Sequence, residues 1–298
     1  MSAKPSLNHG LVVGTFGRQY LVELAQGELL TCFPRGKRST LACGDRVEVA
    51  RTAPGQGVVE AIDPRSALLY RSDQFRQKLI AANVTQIVIV LAVIPSFYEE
   101  LLNRCIAAAE NQRLSLVIVL NKFDLAAENT DAMARLDLYS TLGYRVIPLA
   151  AKRDISPLRP ALSGQASVLV GQSGMGKSTI INALIPGAGA TTAEISAALD
   201  SGRHTTTHAR LYHLDAGTDL IDSPGMQEFG LHHLTQQDIA DAFIELRPLL
   251  GQCRFHNCRH LTEPGCAFTQ SVAEGKVDAR RLDAYRKLVR EIDSGKKF

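Results

Sequence analysis

The sequence predicts an α/β chain in three parts: a small β-barrel, a central open sheet and a mainly helical C-terminal segment. Three observations carry this. Residues 1–66 hold short strands punctuated by glycines and turns, "LVVGTFG", "QYLVELA", "ELLTCFP", "DRVEVA" and "GVVEAID", the rhythm of a small barrel or sandwich. From residue 67 the texture changes to continuous apolar runs, "TQIVIVLAVI" and "LSLVIVL", as strands buried on both faces require. After residue 228 the chain turns polar and helical, and three of its six cysteines crowd together there. The expected division is therefore 1–66, 67–228 and 229–298.

In the first part, "PRGKRST" sets Arg35, Lys37 and Arg38 in a loop. A five-stranded barrel with a basic loop fits an oligonucleotide-binding (OB) fold, although other small barrels give the same pattern. In the second, "YEELLNRCIAAAENQ" has helical composition between two strands, and "RVIPLA" and "ASVLV" read as further strands. That alternation is the mark of an open α/β sheet. In the third, Leu282, Tyr285, Leu288, Val289 and Ile292 fall at helical spacing on one face of "VDARRLDAYRKLVREID", leaving basic residues on the rest.

The 298 residues allow two or three domains, and 45% hydrophobic with 21% charged residues is ordinary for a soluble globular protein. A net charge of +3 permits a nucleic-acid partner without demanding one. "MSAKPSLNHG" has no apolar core of a secretory signal. The longest apolar run, Ile87 to Ile94, falls well short of the roughly 20 residues that cross a bilayer. A cytoplasmic protein without a membrane partner is expected. In a reducing compartment, crowded cysteines point to a metal site rather than a disulfide framework.

"GQSGMGKST", Gly171-Gln172-Ser173-Gly174-Met175-Gly176-Lys177-Ser178-Thr179, fits G-x-x-x-x-G-K-[ST] in full, after the apolar "SVLV" and before "TIINALI". Strand, loop and helix in that order are the context a phosphate-binding loop needs. Its backbone N–H groups would surround phosphates, Lys177 would reach the β- and γ-phosphates, and Ser178 would ligate Mg²⁺. "DSPG" supplies Asp222 and Gly225 in a DxxG pattern; Asp222 would hold Mg²⁺ and the Gly225 amide would sense the γ-phosphate. Between them, "SGRHTTTHAR" offers Thr205, Thr206 and Thr207 as candidates for the one threonine a switch loop needs.

A base-reading motif lies upstream of all this. "LVIVLNKFDL" contains Asn121-Lys122-Phe123-Asp124, the NKxD pattern. Asp124 can accept from guanine N1–H and the 2-amine, Asn121 would brace the neighbouring loop, and Lys122 would lie along the ring. Such a site rejects a base without those donors because its own polar groups would be left unpaired. "PLAAKRD" adds Ala151-Lys152, like an SAK loop whose backbone N–H meets guanine O6, but with Ala150 where serine is usual. In a conventional GTP-binding domain NKxD follows the phosphate loop; here it precedes it. A circularly permuted P-loop GTPase domain explains the order, since termini tend to lie at the surface and close together.

"CRFHNCRHLTEPGC" places Cys253, Cys258, His260 and Cys266 as C-x4-C-x-H-x5-C. Three thiolates and one imidazole make a closed tetrahedral zinc site of structural type. His256 is a competing ligand.

Together, the permuted order, "NKFD", "GQSGMGKST", "GRHTTT", "DSPG" and the cysteine-histidine knuckle resemble the RsgA (YjeQ) family of bacterial ribosome small-subunit-dependent GTPases over nearly the whole chain. The resemblance implies an N-terminal OB-type barrel, a permuted GTPase domain and a C-terminal mainly helical zinc-binding domain. It also implies binding to the small (30S) ribosomal subunit and its rRNA, stimulation of GTP hydrolysis there, and a role in late subunit maturation. The alternative is an rRNA-binding assembly factor that uses GTP mainly as a conformational ligand. A monomer is expected.

Many GTPases orient the attacking water with a glutamine just after DxxG. Here that position is Met226, which predicts slow intrinsic turnover and a catalytic group supplied from elsewhere. His204 is the candidate to position the water, a histidine being chemically suited near neutral pH. Arg203 could instead act on developing phosphate charge. Gly174, where some GTPases carry a potassium-holding asparagine, argues against that device. Arg35, Lys37 and Arg38 of the barrel, and Arg280, Arg281, Lys287 and Arg290 of the last helix, are candidate rRNA contacts whose binding would be salt-sensitive.

Overall fold

The computed structural model describes residues 7–36, 41–72, 77–125, 129–188, 209–223, 231 and 233–295. Its first part is a barrel of β1 (Leu7–Phe16), β2 (Gln19–Leu24), β3 (Leu29–Pro34), β4 (Arg46–Ala53) and β5 (Gln56–Ile62). Alternation drives it: Tyr20, Val22 and Leu24 of β2 point inward while their neighbours are partly exposed. The strands run β1-β2-β3-β5-β4, and β1 also pairs with β4 to close the ring. Only β3–β5 is parallel within it. This is the five-stranded OB arrangement. It encloses its own core of Val12, Tyr20, Val22, Leu30, Cys32, Val47, Val49 and Val59.

A two-stranded hairpin follows, β6 (Leu68–Ser72) and β7 (Gln77–Ala82). The sequence reading does not foresee it, because the polar "YRSDQFRQK" hides its alternation. The hairpin meets the barrel at Gly44, whose φ is +92° and where a Cβ would lie 2.3 Å from the Ala82 carbonyl oxygen. Only glycine satisfies both demands.

The central sheet holds β8 (Gln86–Ala92), β9 (Ser115–Asn121), β10 (Arg145–Pro148), β11 (Ala166–Val170), β12 (Arg210–Asp215) and β13 (Thr218–Asp222), in the order β10-β9-β8-β11-β13-β12. All pairs are parallel except β12 against β13. Every residue of β8 is buried, as a continuous Val/Ile/Leu run demands. Helices α1 (Glu99–Asn111), α2 (Asn129–Thr141), α3 (Arg159–Leu162) and α4 (Lys177–Leu184) connect the strands. Counted from β11, the strands β11, β12 and β13 fill one side, and β8, β9 and β10 fill the other. The break in the chain is displaced while the doubly wound arrangement is intact. Ligands of such sheets bind beyond the carboxyl ends of the strands, where the order reverses; here that is between β8 and β11.

The third part comprises α5 (Gln236–Ala242), α6 (Ala267–Ala273) and α7 (Ala279–Gly295). Thr235 and Asp238 form a reciprocal capping box at the start of α5. Leu282, Tyr285, Leu288, Val289 and Ile292 of α7 are all buried, as the helical spacing predicts, and they belong to the same continuous core as the central sheet. One expectation for this helix is overturned. Arg281, read as a candidate rRNA contact, is 1% exposed. Its guanidinium pairs with Glu245 at 2.5 Å, donates to Asn103 Oδ1 and lies 4.2 Å over the Phe243 ring. Its place in the sequence beside Arg280 made it look like part of a solvated basic face; the helical angle between them turns it inward. Lys287 and Arg290 are exposed. Among the described residues, no helix is long and apolar enough to cross a membrane.

Candidate nucleotide site and metal centre

Four loops meet at the carboxyl ends of β8, β9, β10 and β11, beside the end of β13. The glycine-rich loop runs from β11 into α4. Gly171, Gly174 and Gly176 have φ of +155°, +80° and +96°, backbone that side-chain-bearing residues rarely adopt. Two of them also lack room: a Cβ on Gly171 would sit 2.3 Å from the Val90 carbonyl oxygen, and one on Gly176 would sit 2.3 Å from Asn121 Nδ2. Met175 is buried, whereas Ser173, Gly174 and Ser178 are exposed; Gln172 and Thr179 are partly so. α4 begins directly on the loop, so its free N–H groups face the space a phosphate would fill.

Asn121, at the end of β9, ties this loop to the base-reading side. It is 3% exposed; its Nδ2 donates to the Met175 carbonyl at 3.0 Å, and its Oδ1 accepts from the Ala151 N–H at 3.2 Å. One side chain thus fixes the phosphate loop and the SAK-like loop to each other. Lys122 has a φ of +58°, and its Nζ donates to the Ile94 carbonyl at 2.6 Å. The Phe123 N–H is held by the Leu149 carbonyl at 3.0 Å. Asp124 pairs with Arg153 at 3.2 Å. Ala151 is buried and Lys152 exposed. Ala150 bridges Asp154, whose carboxylate accepts from Ser156 N–H at 2.9 Å; that turn holds the loop without the usual serine.

At the phosphate end, Lys177 Nζ donates to the carbonyls of Gly171 at 2.5 Å and Gln172 at 2.8 Å. Burial pushes the Lys177 ammonium down, and the Asp222 charge opposes the shift. Burial likewise pushes the Asp222 carboxyl up, and Lys177 opposes it. The two face each other across the end of β11 and β13, a charged pair placed where phosphate and a divalent cation would compete for them. Asp222 and Ser178 offer hard oxygen donors of the kind Mg²⁺ takes. Arg203, His204, Thr205, Thr206, Thr207, Gly225 and Met226 lie outside the described residues, as do Lys37 and Arg38 of the barrel loop.

The second centre brings Cys253, Cys258, His260 and Cys266 together with their donor atoms within 4.8 Å of one another. His260 Nδ1 lies 3.3, 3.7 and 3.5 Å from the sulfurs of Cys253, Cys258 and Cys266. Tetrahedral zinc with its usual bond lengths sets sulfur–nitrogen separations of about 3.5 Å, so the four groups fit a metal ion. Burial lowers the His260 pKa, which keeps the imidazole neutral and free to donate. Its ring stacks on Phe268, centroids 3.7 Å apart, and its φ of +62° turns it into the cluster. His256, the competing ligand, is exposed and stands outside this group.

Sequence reasoning missed two participants. Arg153, which pairs with Asp124, carries no motif signature. Residues 93–97, whose carbonyl holds Lys122, are marked only by ending a strand next to the topological switch.

Comparison with known proteins agrees with this geometry. Residues 62–232 match the family model of the RsgA GTPase. A protein of Nitrosospira multiformis named small ribosomal subunit biogenesis GTPase RsgA is 56% identical over 96% of this chain and 92% of its own. One of the same name from Nitrosomonas europaea is 52% identical over 95% of this chain and 91% of its own. Among solved structures, YjeQ from Thermotoga maritima is similar with a TM-score of 0.74 at 29% identity, covering 96% of this chain and 99% of that one. YloQ, described as a circularly permuted GTPase, gives 0.71 at 25% identity, covering 100% and 99%. With a family model across more than half its length and such relatives along almost all of it, the chain belongs to the RsgA GTPase family.

Proposed function

We propose that this chain hydrolyses GTP to GDP and phosphate under control of the small ribosomal subunit, acting in late maturation of that subunit. The observation that carries the reading is Asn121. By joining the Met175 carbonyl to the Ala151 N–H, it makes one site of a guanine-reading strand end and a phosphate loop that stand in permuted order. Its relatives' shared name supports the ribosomal half.

In this reading Asp124 accepts from guanine N1–H and the 2-amine, Lys122 lies along the ring and the Ala151 amide faces O6. The N–H groups of residues 171–179 hold the phosphates, and Lys177 leaves its own loop carbonyls for the β- and γ-oxygens. Ser178 and Asp222 would hold Mg²⁺, which supplies charge neutralisation at the phosphates. His204 orients the water, with Thr205 or Thr206 closing the switch loop and the Gly225 amide sensing the γ-phosphate. Zinc at Cys253, Cys258, His260 and Cys266 is structural, because the four protein donors leave no position for a reactant. The division into 1–66, 67–228 and 229–298 then gives an OB-type RNA-binding unit, the GTPase and a zinc-bearing helical unit. Exposed Lys287 and Arg290, and Arg35 of the barrel, meet rRNA. The protein acts as a monomer in the cytoplasm, where ribosomal subunits are assembled.

The test is GTP turnover by the purified chain alone, with small subunits and with large subunits. Stimulation of tenfold or more by small subunits only is expected, in line with the rate gains that partner-supplied groups give GTPases (about 10³-fold or more). Equal turnover in all three conditions contradicts the proposal.

A further inference from the structure

The nucleotide site has a wall that no motif marks: residues 93–97, between β8 and α1. On the side of the site, the Ile94 carbonyl accepts from Lys122 Nζ at 2.6 Å, and the Val93 N–H donates to the Asn121 carbonyl at 3.2 Å. Pro95 ring carbons lie 3.8 Å from where a side chain on Gly174 would begin. The segment therefore touches both the base-reading and the phosphate loops.

On its other side the same segment is gripped by Arg135 of α2. The guanidinium donates to the Phe97 carbonyl at 2.8 Å and to Ser96 Oγ at 3.1 Å, and lies 4.0 Å over the Phe97 ring. A planar fork with several fixed donors pins a loop more tightly than a flexible ammonium could. Arg135 is in turn bonded to Glu99 at 3.2 Å. The other Glu99 oxygen accepts from Tyr139 Oη at 3.0 Å, Asn103 Nδ2 donates to Tyr139 Oη at 3.2 Å, and Asn103 Oδ1 accepts from Arg281. Arg281 belongs to α7 and is anchored on Glu245. Tyr139, Asn103 and Arg281 are buried, so the bonds among these three are shielded from water.

We infer that Arg135 is a positioning residue for the guanine end of the site, setting residues 94–97 against Lys122, and that α7 acts on this setting through Arg281, Asn103, Tyr139 and Glu99. Whatever displaces the C-terminal helix changes the grip on the base. This rests on the reading of Lys122 as a base contact, and it adds a route by which a contact on the C-terminal segment reaches the nucleotide.

The test is a pair of double-mutant cycles read as fluorescent-GDP affinity on the full chain, with melting temperature as a check on folding. Arg135→Lys is expected to weaken GDP binding about tenfold when Lys122 is present and by no more than about twofold when it is alanine. Arg281→Lys, cycled the same way, is expected to give about threefold and a similar loss of effect. A merely structural role would lower the melting temperature and leave the two substitutions additive; additivity in either cycle overturns the inference. If Arg135→Lys does not fold, Ser96→Ala, which removes one anchor only, is read in the same cycle. Lys122→Ala alone separates the two claims. If it leaves GDP affinity unchanged, the base-contact reading falls and the inference with it. If it weakens binding without coupling to Arg135, only the inference falls.

Discussion

The barrel and the C-terminal segment are attached to the GTPase sheet in opposite ways. Most buried barrel residues form a core of their own, while Val13 and Cys43 join the core of the sheet. Among the described residues the barrel meets the sheet through Gly14 paired with Arg210, through Thr15 N–H donating to the Ala209 carbonyl at 3.0 Å, through the Gly44 turn beside Ile221, and through His213 of β12, which lies 2.7 Å from Glu23 of the barrel and 2.6 Å from Asp219. A cleft of about 560 Å³ runs along this seam, lined among others by His9, Glu23, Arg46, His213 and Asp219. The C-terminal segment, by contrast, shares one continuous apolar core with the sheet, and its buried Arg281 donates to Asn103 of α1. The first junction sets a titratable histidine between two carboxylates, beside the buried Val13 and Cys43. The second is mainly apolar, and movement there is passed to the helices behind the nucleotide site.

The largest expected effect tests the C-terminal junction through the zinc proposed for its cysteine cluster. If the C-terminal segment and the sheet are one cooperative unit, excess chelator or Cys258→Ser lowers the midpoint of a single thermal transition. The loss is several kcal/mol, since structural zinc contributes up to about 10 kcal/mol or more to small folds. Two separate transitions, with the nucleotide-stabilised one unmoved, would break the comparison.

Next is Arg281→Met. It leaves Glu245, whose side chain is only 10% exposed, without its partner and should cost up to about 3–5 kcal/mol by denaturant unfolding. Adding Glu245→Leu should recover a large part, because replacing a buried ion pair by apolar groups is close to neutral. A loss below about 1 kcal/mol would mean that water reaches this pair.

The barrel junction should respond to pH instead. Burial alone would lower the His213 pKa, but the carboxylates of Glu23 and Asp219 outweigh it and raise it above its ordinary 6.5. A raised folded-state pKa stabilises fully below the unfolded value, and the contribution disappears as pH rises through the folded one. Barrel docking, followed by proteolysis between barrel and sheet, should therefore loosen as pH climbs above about 6.5, and His213→Gln should remove that dependence. A flat profile in the parent protein would contradict the assignment.

The smallest effect concerns Arg153, 73% exposed beside Asp124. Arg153→Ala should weaken GDP binding about two- to threefold, as exposed ion pairs contribute under about 1 kcal/mol. Tighter binding would mean that Arg153 competes with guanine rather than orienting Asp124.

Much of this was legible in the sequence where local chemistry decides. Apolar runs gave the buried strands, three glycines and a lysine gave the phosphate loop, and four soft donors at close spacing gave the metal cluster. What sequence reasoning missed depends on tertiary contact. The β6–β7 hairpin has its apolar residues split by a polar stretch, and it owes its place to tertiary contacts: Leu69, Ile80 and Ala81 buried in the core of the sheet, and Ala82 N–H donating to the Cys43 carbonyl at 2.8 Å. Arg281 reads as solvated because its partners, Glu245 and Asn103, lie 36 and 178 residues away in the chain. The wall at residues 93–97 acts largely through backbone carbonyls, which leave no trace in residue type.

The central claim, that a guanine reader ahead of its phosphate loop forms one site with it, is tested most directly by changing the base it reads. Asparagine at position 124 can accept from N1–H but offers an amide donor where the 2-amine needs an acceptor; xanthine, with a 2-carbonyl, fits it. Asp124→Asn should lose GDP affinity by about a thousandfold or more while gaining XDP, as sites built on such hydrogen bonds discriminate. Retention of the parent preference for GDP over XDP in that variant would contradict the account.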